Sequence, residues 1–325
     1  MLSKSRIEVS VQDIQSELGI RFTPNQQSYF QNKQLNKYVY PESDNQISTL
    51  LTKLNKPAIY FRLCQLICKF KHSWDFATYT NDLLRNKKSR DTFIFERLFQ
   101  DTESKSVTEY SKDYIAEYII NILNNLHLSK PRSLLDIGCG NCIFTKDLGV
   151  AMQIKPTDIY GADVAQEFEL NWKATRPADI QFVEIRNNKL QFARKFDLIT
   201  CMMVLHHVPE EVLLEYIAEI YKLLTPGGVF IIKEHDCYNA ADYMIADLEH
   251  SLYIAKEAAV HTKSNRLTAQ SKKKIADQRI SYKDRFTWRV LIQRAGFKCI
   301  YENPYDMGLS NTYAPNRAYL AVFQK

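Results

Sequence analysis

Apolar residues follow two rhythms along the chain, and the change of rhythm divides it. Up to about residue 105 they recur three and four apart: Val11, Ile14 and Leu18 behind Ser10, then Ile59, Leu63, Leu66 and Ile67 behind Pro57, then Phe93, Ile94, Leu98 and Phe99. This spacing predicts helices over 10–18, 46–54, 57–70 and 91–99, with Ser10 as an N-cap and Pro57 in a first turn, where a missing N–H is harmless. A longer stripe, Ile115, Tyr118, Ile119, Ile122 and Leu126, predicts a helix from Ser111 to Leu126. Beyond it, short apolar runs bounded by turns take over. They predict strands over 133–137, 159–164, 181–184, 196–204 and 229–233, with helical stretches through Leu148 and Met152 and from His206 to Leu224.

Repeated strand and helix units with short turns imply an α/β, doubly wound parallel sheet. After a last helix over 286–295, closed by Gly296, two strands over 297–301 and 317–323 leave little room for a crossover helix and predict a hairpin at the sheet edge. The polar stretch 101–106 makes a boundary. Residues 1–105 are then a helical N-terminal appendage and 106–325 an α/β domain, with an insertion at about 237–285 ahead of the last helix.

Charge changes this picture more than overall composition does. The 325 residues carry a net +6, but residues 1–105 hold 16 Lys/Arg against 11 Asp/Glu, while 106–325 hold 27 against 26. Within the second part, 256–289 has ten Lys/Arg, among them Lys272, Lys273 and Lys274, against Glu257, Asp277 and Asp284. Two basic regions beside a near-neutral core suit a protein that handles a polyanion, and Tyr253, just ahead of the second, with Tyr282 and Trp288 within it, are placed as RNA contacts would be. A solvated basic face is the plainer alternative. No run of about 18 apolar residues exists and the start is polar, which points to a cytosolic or nuclear chain, cytoplasmic in first expectation. The seven cysteines show no disulfide framework. Cys139 and Cys142 form a Cys-x-x-Cys without a second ligand pair, so no metal is expected.

The stretch 133–145, Ser-Leu-Leu-Asp-Ile-Gly-Cys-Gly-Asn-Cys-Ile-Phe-Thr, is where the chemistry starts. A buried strand ends in Gly138 and Gly140 ahead of a helix, an arrangement that lets backbone and a helix N-terminus approach a nucleotide-like ligand. Asp163, 25 residues after Gly138, ends the second strand, where an acid accepts hydrogen bonds from ribose hydroxyls.

Taken in order, Leu134 to Gly140, Gly161-Ala162-Asp163, Phe196-Asp197-Leu198-Ile199, Leu205-His206-His207-Val208 and Leu224-Thr225-Pro226-Gly227-Gly228 resemble the motifs of class I S-adenosylmethionine-dependent methyltransferases. The resemblance spans roughly 108–325. It implies a seven-stranded, mostly parallel sheet with an antiparallel last strand and S-adenosylmethionine as cofactor. It also implies that Asp136, Gly138 and Gly140 lie around the methionine part, Asp163 on the ribose, Glu184 and Ile185 around adenine, and Met202 beside the transferable methyl. Cys142 stands where the family usually has a third glycine, and the adenine-side acid does not align cleanly.

Methyl transfer from a sulfonium is an in-line displacement, and a base is needed only when the acceptor must lose a proton. The fourth strand ends in Cys201-Met202-Met203-Val204-Leu205, with neither the Asp/Asn-Pro-Pro-aromatic motif of exocyclic-adenine enzymes nor the acid of ribose 2'-O enzymes. An acceptor that already carries a lone pair, such as guanine N7, stays compatible. The fifth strand ends in Lys233-Glu234-His235-Asp236, followed by Asp242, Asp247, Glu249 and His250. Glu234, His235 and His250 are the catalytic candidates for binding or deprotonating the acceptor, with structural locking of the insertion as the alternative. The leading expectation is a methyltransferase acting on RNA, with a cap-like guanine foremost. A small-molecule or protein methyltransferase and a catalytically silent RNA-binding or regulatory subunit are the alternatives.

Overall fold

The computed structural model describes residues 10–19, 111–164, 176–237, 246, 281–303 and 318–325. The helices expected over 46–54, 57–70 and 91–99, the boundary at 101–106, most of the insertion, and Asp242, Asp247, Glu249 and His250 lie outside the described residues.

The first described helix, α1 (Val11–Leu18), is built as its sequence dictates. Ser10 Oγ accepts from Asp13 N at 3.1 Å while Asp13 returns a bond to Ser10 N at 2.7 Å, a reciprocal cap, and Gly19 at φ +64 ends the helix. Next come α2 (Ser111–Asn125), β1 (Leu134–Ile137), α3 (Ile143–Ala151), β2 (Ile159–Val164), β3 (Gln181–Ile185) and β4 (Phe196–Met202). They are followed by α4 (Leu213–Leu223), β5 (Leu224–His235), α5 (Arg285–Arg294), β6 (Lys298–Asn303) and β7 (Ala318–Gln324). Glu17 and Asp13 of α1 both meet Arg294 of α5, so this N-terminal helix is anchored on the last helix of the α/β unit.

The seven strands form one sheet in the order β3-β2-β1-β4-β5-β7-β6. β1 to β5 run parallel, and β7 lies antiparallel between β5 and β6. The terminal hairpin therefore sits at the sheet edge, with β6 outermost. Central strands are covered on both faces, which is why their sequences are almost continuously apolar. On one face α4 and α5 pack over Leu135, Ile137, Ile199, Cys201, Phe230 and Ile232. On the other, α2 and α3 pack over Leu134, Leu198, Ile231 and Val322. α4 buries Leu213, Tyr216, Ile217, Ile220 and Leu223 at helical spacing. Each aliphatic side chain among them contributes about 1.5–3 kcal/mol relative to exposure.

One stretch departs from the sequence expectation. His206 does not open α4. Leu205–His207 forms a single 3-10 turn and the helix starts only at Leu213. Val208 is held extended, φ −73 and ψ 128, as a residue before proline must be, and Pro209 thus separates the histidines from the helix.

Candidate active site

Strand order reverses between β1 and β4, and in such sheets the ligand crevice opens beyond the carboxyl ends of the strands at that point. The turn after β1 is made by backbone torsion. Gly138 and Gly140 have φ +73 and +54, and the N–H groups of Gly138 and Cys139 both donate to the Ala162 carbonyl, at 2.7 and 3.2 Å. A Cβ on Gly138 would lie 2.1 Å from Val204 Cγ2, so only glycine lets the turns after β1 and β4 come this close.

Cys142 also has positive φ, +60, and caps α3 without a side-chain bond. The position keeps the backbone conformation of a glycine although it carries a thiol, at a cost of about 1–2 kcal/mol. Its Sγ lies 3.2 Å from Cys139 Sγ, and both sulfurs fill the space beside Gly161. The bond it shares with Cys142, and then burial, hold the Cys139 thiol well above its ordinary range. Among the described residues no group of three or more His, Cys, Asp or Glu is arranged to hold a metal.

The acids around the crevice are bound into the fold. Asp136 is 2% exposed and accepts from Thr145 Oγ1 at 2.6 Å and Thr200 Oγ1 at 2.7 Å. Asp163, half-buried at the tip of β2, accepts from Gly140 N and Val164 N, each at 2.7 Å, and so ties the glycine turn to the second strand. Glu184 lies opposite Asp163 across β2 and β3 and pairs with Arg186 at 3.0 Å, while Ile185 is buried in the core. Met202 is half-buried at the last position of β4, opposite Lys233 of β5. Met203, which follows, is left-handed at φ +62 and donates to the Lys233 carbonyl at 2.7 Å.

At the end of β5, Glu234 has no exposed surface. Its Oε1 accepts from Val204 N at 3.0 Å and Leu205 N at 2.7 Å, and its Oε2 lies 2.5 Å from His206 Nδ1. His235 is buried with its ring centre 5.1 Å from that of His206 and 5.3 Å from that of Tyr282, edge to face with both. His207 is exposed, its ring centre 4.2 Å from that of His206 and tilted by 47° to it. Asp236 accepts from Arg285 N at 2.8 Å, joining the end of β5 to the start of α5. Burial, then the charges of Glu234, Asp136 and Asp163, push the Cys201 thiol well up, as expected where three acids converge around the end of β4.

The structure thus brings Asp136, Gly138, Gly140, Asp163 and Met202 to one end of the sheet with Glu234 and His235; His250 is outside the described residues. Thr145, Thr200, Val204 and His206 are additions to this set. The two threonines could have been found as hydroxyls in otherwise apolar elements, but nothing local to Val204 or His206 announces a partner 30 or 28 residues away.

The geometry suits S-adenosylmethionine: side-chain-free backbone at Gly138 and Gly140, and an acid on the neighbouring strand tip hydrogen-bonded to that same turn. A family profile described as a methyltransferase domain matches residues 108–302. Curated relatives include a ubiquinone biosynthesis O-methyltransferase of Psychrobacter arcticus, 30% identical over 31% of this chain and 40% of that one. They also include a tRNA U34 carboxymethyltransferase of Nautilia profundicola, 28% identical over 43% of each. The chain spans less than half the length of these two relatives. A solved structure of the 1,6-didemethyltoxoflavin-N1-methyltransferase of Burkholderia thailandensis, with 1,6-didemethyltoxoflavin and S-adenosylhomocysteine bound, overlays with a TM-score of 0.44. It is 18% identical and covers 67% of this chain and 80% of that one. With a profile match over more than half of its length, on the strand order and glycine turn described above, the chain belongs to the class I S-adenosylmethionine-dependent methyltransferases.

Proposed function

We propose that the protein transfers a methyl group from S-adenosylmethionine to RNA, with the ring nitrogen of a cap-like guanine as the acceptor. One observation carries this reading. The acids Asp136, Glu234 and Asp236 at the strand ends are each engaged by hydroxyl or backbone donors of the protein itself. Carboxylates held this way are poor proton acceptors for a substrate, which favours a nucleophile that already owns its lone pair. The basic regions in 1–105 and 256–289 support a polyanionic partner.

When bound, the cofactor supplies an electrophilic methyl group on a sulfonium. The chain's part is to hold the two reactants in line. Gly138 and Gly140 offer backbone to the methionine portion and Asp136 stiffens the strand beneath them. Asp163 would take the ribose hydroxyls, Glu184 and Ile185 would lie toward adenine, and Met202, at the end of β4, would lie toward the methyl. Of the rings grouped at this end of the sheet, His235 and Tyr282 are buried and pack on each other, and the exposed His207 is the one that offers a base a face to stack on.

A second reading has its own observation. A buried His206–Glu234 pair is also the apparatus of a general base, and this favours a small O–H acceptor of the kind implied by the name of the Psychrobacter relative. Incubation of the full chain with methyl-labelled cofactor, capped RNA, uncapped RNA and a catechol separates the two. Label recovered as a methylated guanine in capped RNA is the expected result. Label only in the catechol overturns the RNA reading.

A further inference from the structure

Glu234 sits where a catalytic base would be sought, but its surroundings describe another task. Both Val204 N and Leu205 N donate to one oxygen and His206 Nδ1 meets the other, so three consecutive residues of the turn after β4 converge on one carboxylate with no exposed surface. That turn needs holding. Met203 enters it in a left-handed conformation at a residue with a long side chain, a torsion that persists only where neighbouring bonds over-determine it. The turn also presses on the cofactor side, because Val204 Cγ2 occupies the space that a Cβ on Gly138 would take.

We propose that Glu234 is a positioning residue: it clamps the turn from Val204 to His206 against the glycine turn, and it holds His206 with the proton on Nδ1. The second half follows from donor chemistry. An ionised carboxylate only accepts, so the ring nitrogen facing it must carry a hydrogen, and Nε2 is left as the basic nitrogen of the neutral ring. This inference rests on the family's cofactor occupying the glycine turn, and it is independent of which acceptor the enzyme methylates.

The test has two arms, neither of which uses an acceptor. In long-range proton–nitrogen spectra of the full chain, the His206 signal is identified as the one missing from His206→Asn. It should show a protonated Nδ1 in the native protein and move to the Nε2–H form in Glu234→Gln, whose amide must donate to Nδ1. A native His206 with a bare Nδ1 overturns the proposal. In the second arm, S-adenosylhomocysteine binding is measured by calorimetry, below the unfolding transition of each variant. Glu234→Ala should weaken it by at least about tenfold, which is 1.4 kcal/mol, and Glu234→Gln by about threefold or less, since its carbonyl oxygen still accepts from both backbone N–H groups. Unchanged affinity in Glu234→Ala overturns the clamp. If Glu234→Ala does not fold, the tautomer change in Glu234→Gln still decides. If the native chain binds no S-adenosylhomocysteine, the family reading of the cofactor fails, while the tautomer arm still judges the contact between Glu234 and His206.

Discussion

The turns after β1 and β4 face each other across one crevice, yet they are made in opposite ways. The first is shaped mainly by Gly138 and Gly140, which adopt positive φ at no steric cost, and its N–H groups are tied to β2 through Ala162 and Asp163. The second adopts positive φ at Met203, which has no such freedom, and is held from outside by Glu234 of the neighbouring strand. The torsions of the first turn are written in its own glycines, within a few positions, and the neighbouring strand only fastens it. A turn built by a distant clamp is set by packing, and its instructions are scattered over 30 residues.

The largest effect is expected where the two turns touch. Gly138→Ala adds a methyl 2.1 Å from Val204 Cγ2 and forces a side chain onto φ +73. Overpacking of about 1–3 kcal/mol and a torsional cost of about 1–2 kcal/mol together predict a loss of about 2–5 kcal/mol in urea unfolding, with cofactor binding abolished or nearly so. Val204→Ala in the same chain should restore part of this, because it removes the clash and leaves the torsion. Strict additivity of the two changes would mean that the turns do not lean on each other.

The same contrast explains how much could be read from the sequence. Six of the seven strands match their expected bounds within two residues, and the central ones are plainest because a strand buried on both faces must be apolar throughout; β5 begins at Leu224, five residues ahead of its expected start, and takes in the Thr225–Gly228 stretch expected to be a turn. The glycine turn and Asp163 were legible for the same local reason. His206 was misplaced at the head of a helix, because the proline that separates it from α4 acts on the torsion of Val208 and not on the apolar rhythm. Glu234 was legible as an acid at a strand end. Its tie to Val204, Leu205 and His206 depends on β4 and β5 lying side by side, which no local pattern records.

Next in size is Asp163→Asn. Its two carboxylate oxygens accept from Gly140 N and Val164 N, and an amide sets its own N–H groups against one of those donors. Loss of a charged acceptor is worth about 1.5–3 kcal/mol, so S-adenosylhomocysteine affinity should fall roughly tenfold to hundredfold. An unaltered affinity would show that the second strand tip does not govern the glycine turn. Thr200→Val, close in shape, deprives Asp136 of a 2.7 Å donor inside the core and should cost about 1–2 kcal/mol of stability. Its effect on cofactor affinity should be much smaller than that of Asp163→Asn, since the change lies beneath the turn and not in it.

The smallest effect tests whether a buried carboxylate is useful only when donors surround it. Glu302 on β6 is the counterexample to Glu234: its Oε1 is buried without a hydrogen-bond partner among the described residues, and Arg289 Nη1 stands 3.6 Å from Oε2. Burial pushes its carboxyl above the ordinary value, and the charges of Arg289 and Arg285 offset this only in part. A folded pKa above the unfolded one means that the native state binds more protons in that interval. The stabilising contribution is therefore complete below the unfolded pKa, near 4.3, and is lost as pH rises through the raised folded value. Glu302→Gln should then match the native protein in acid and exceed it slightly in thermal midpoint at pH 7, a difference that opens as pH rises. A Gln variant less stable at pH 7 would show that the ion pair with Arg289 outweighs burial. Glu234→Gln should instead lower the thermal midpoint at pH 7, because Glu234 has three donors from the turn it holds, whereas Glu302 has a charge nearby but, among the described residues, no donor on its buried oxygen.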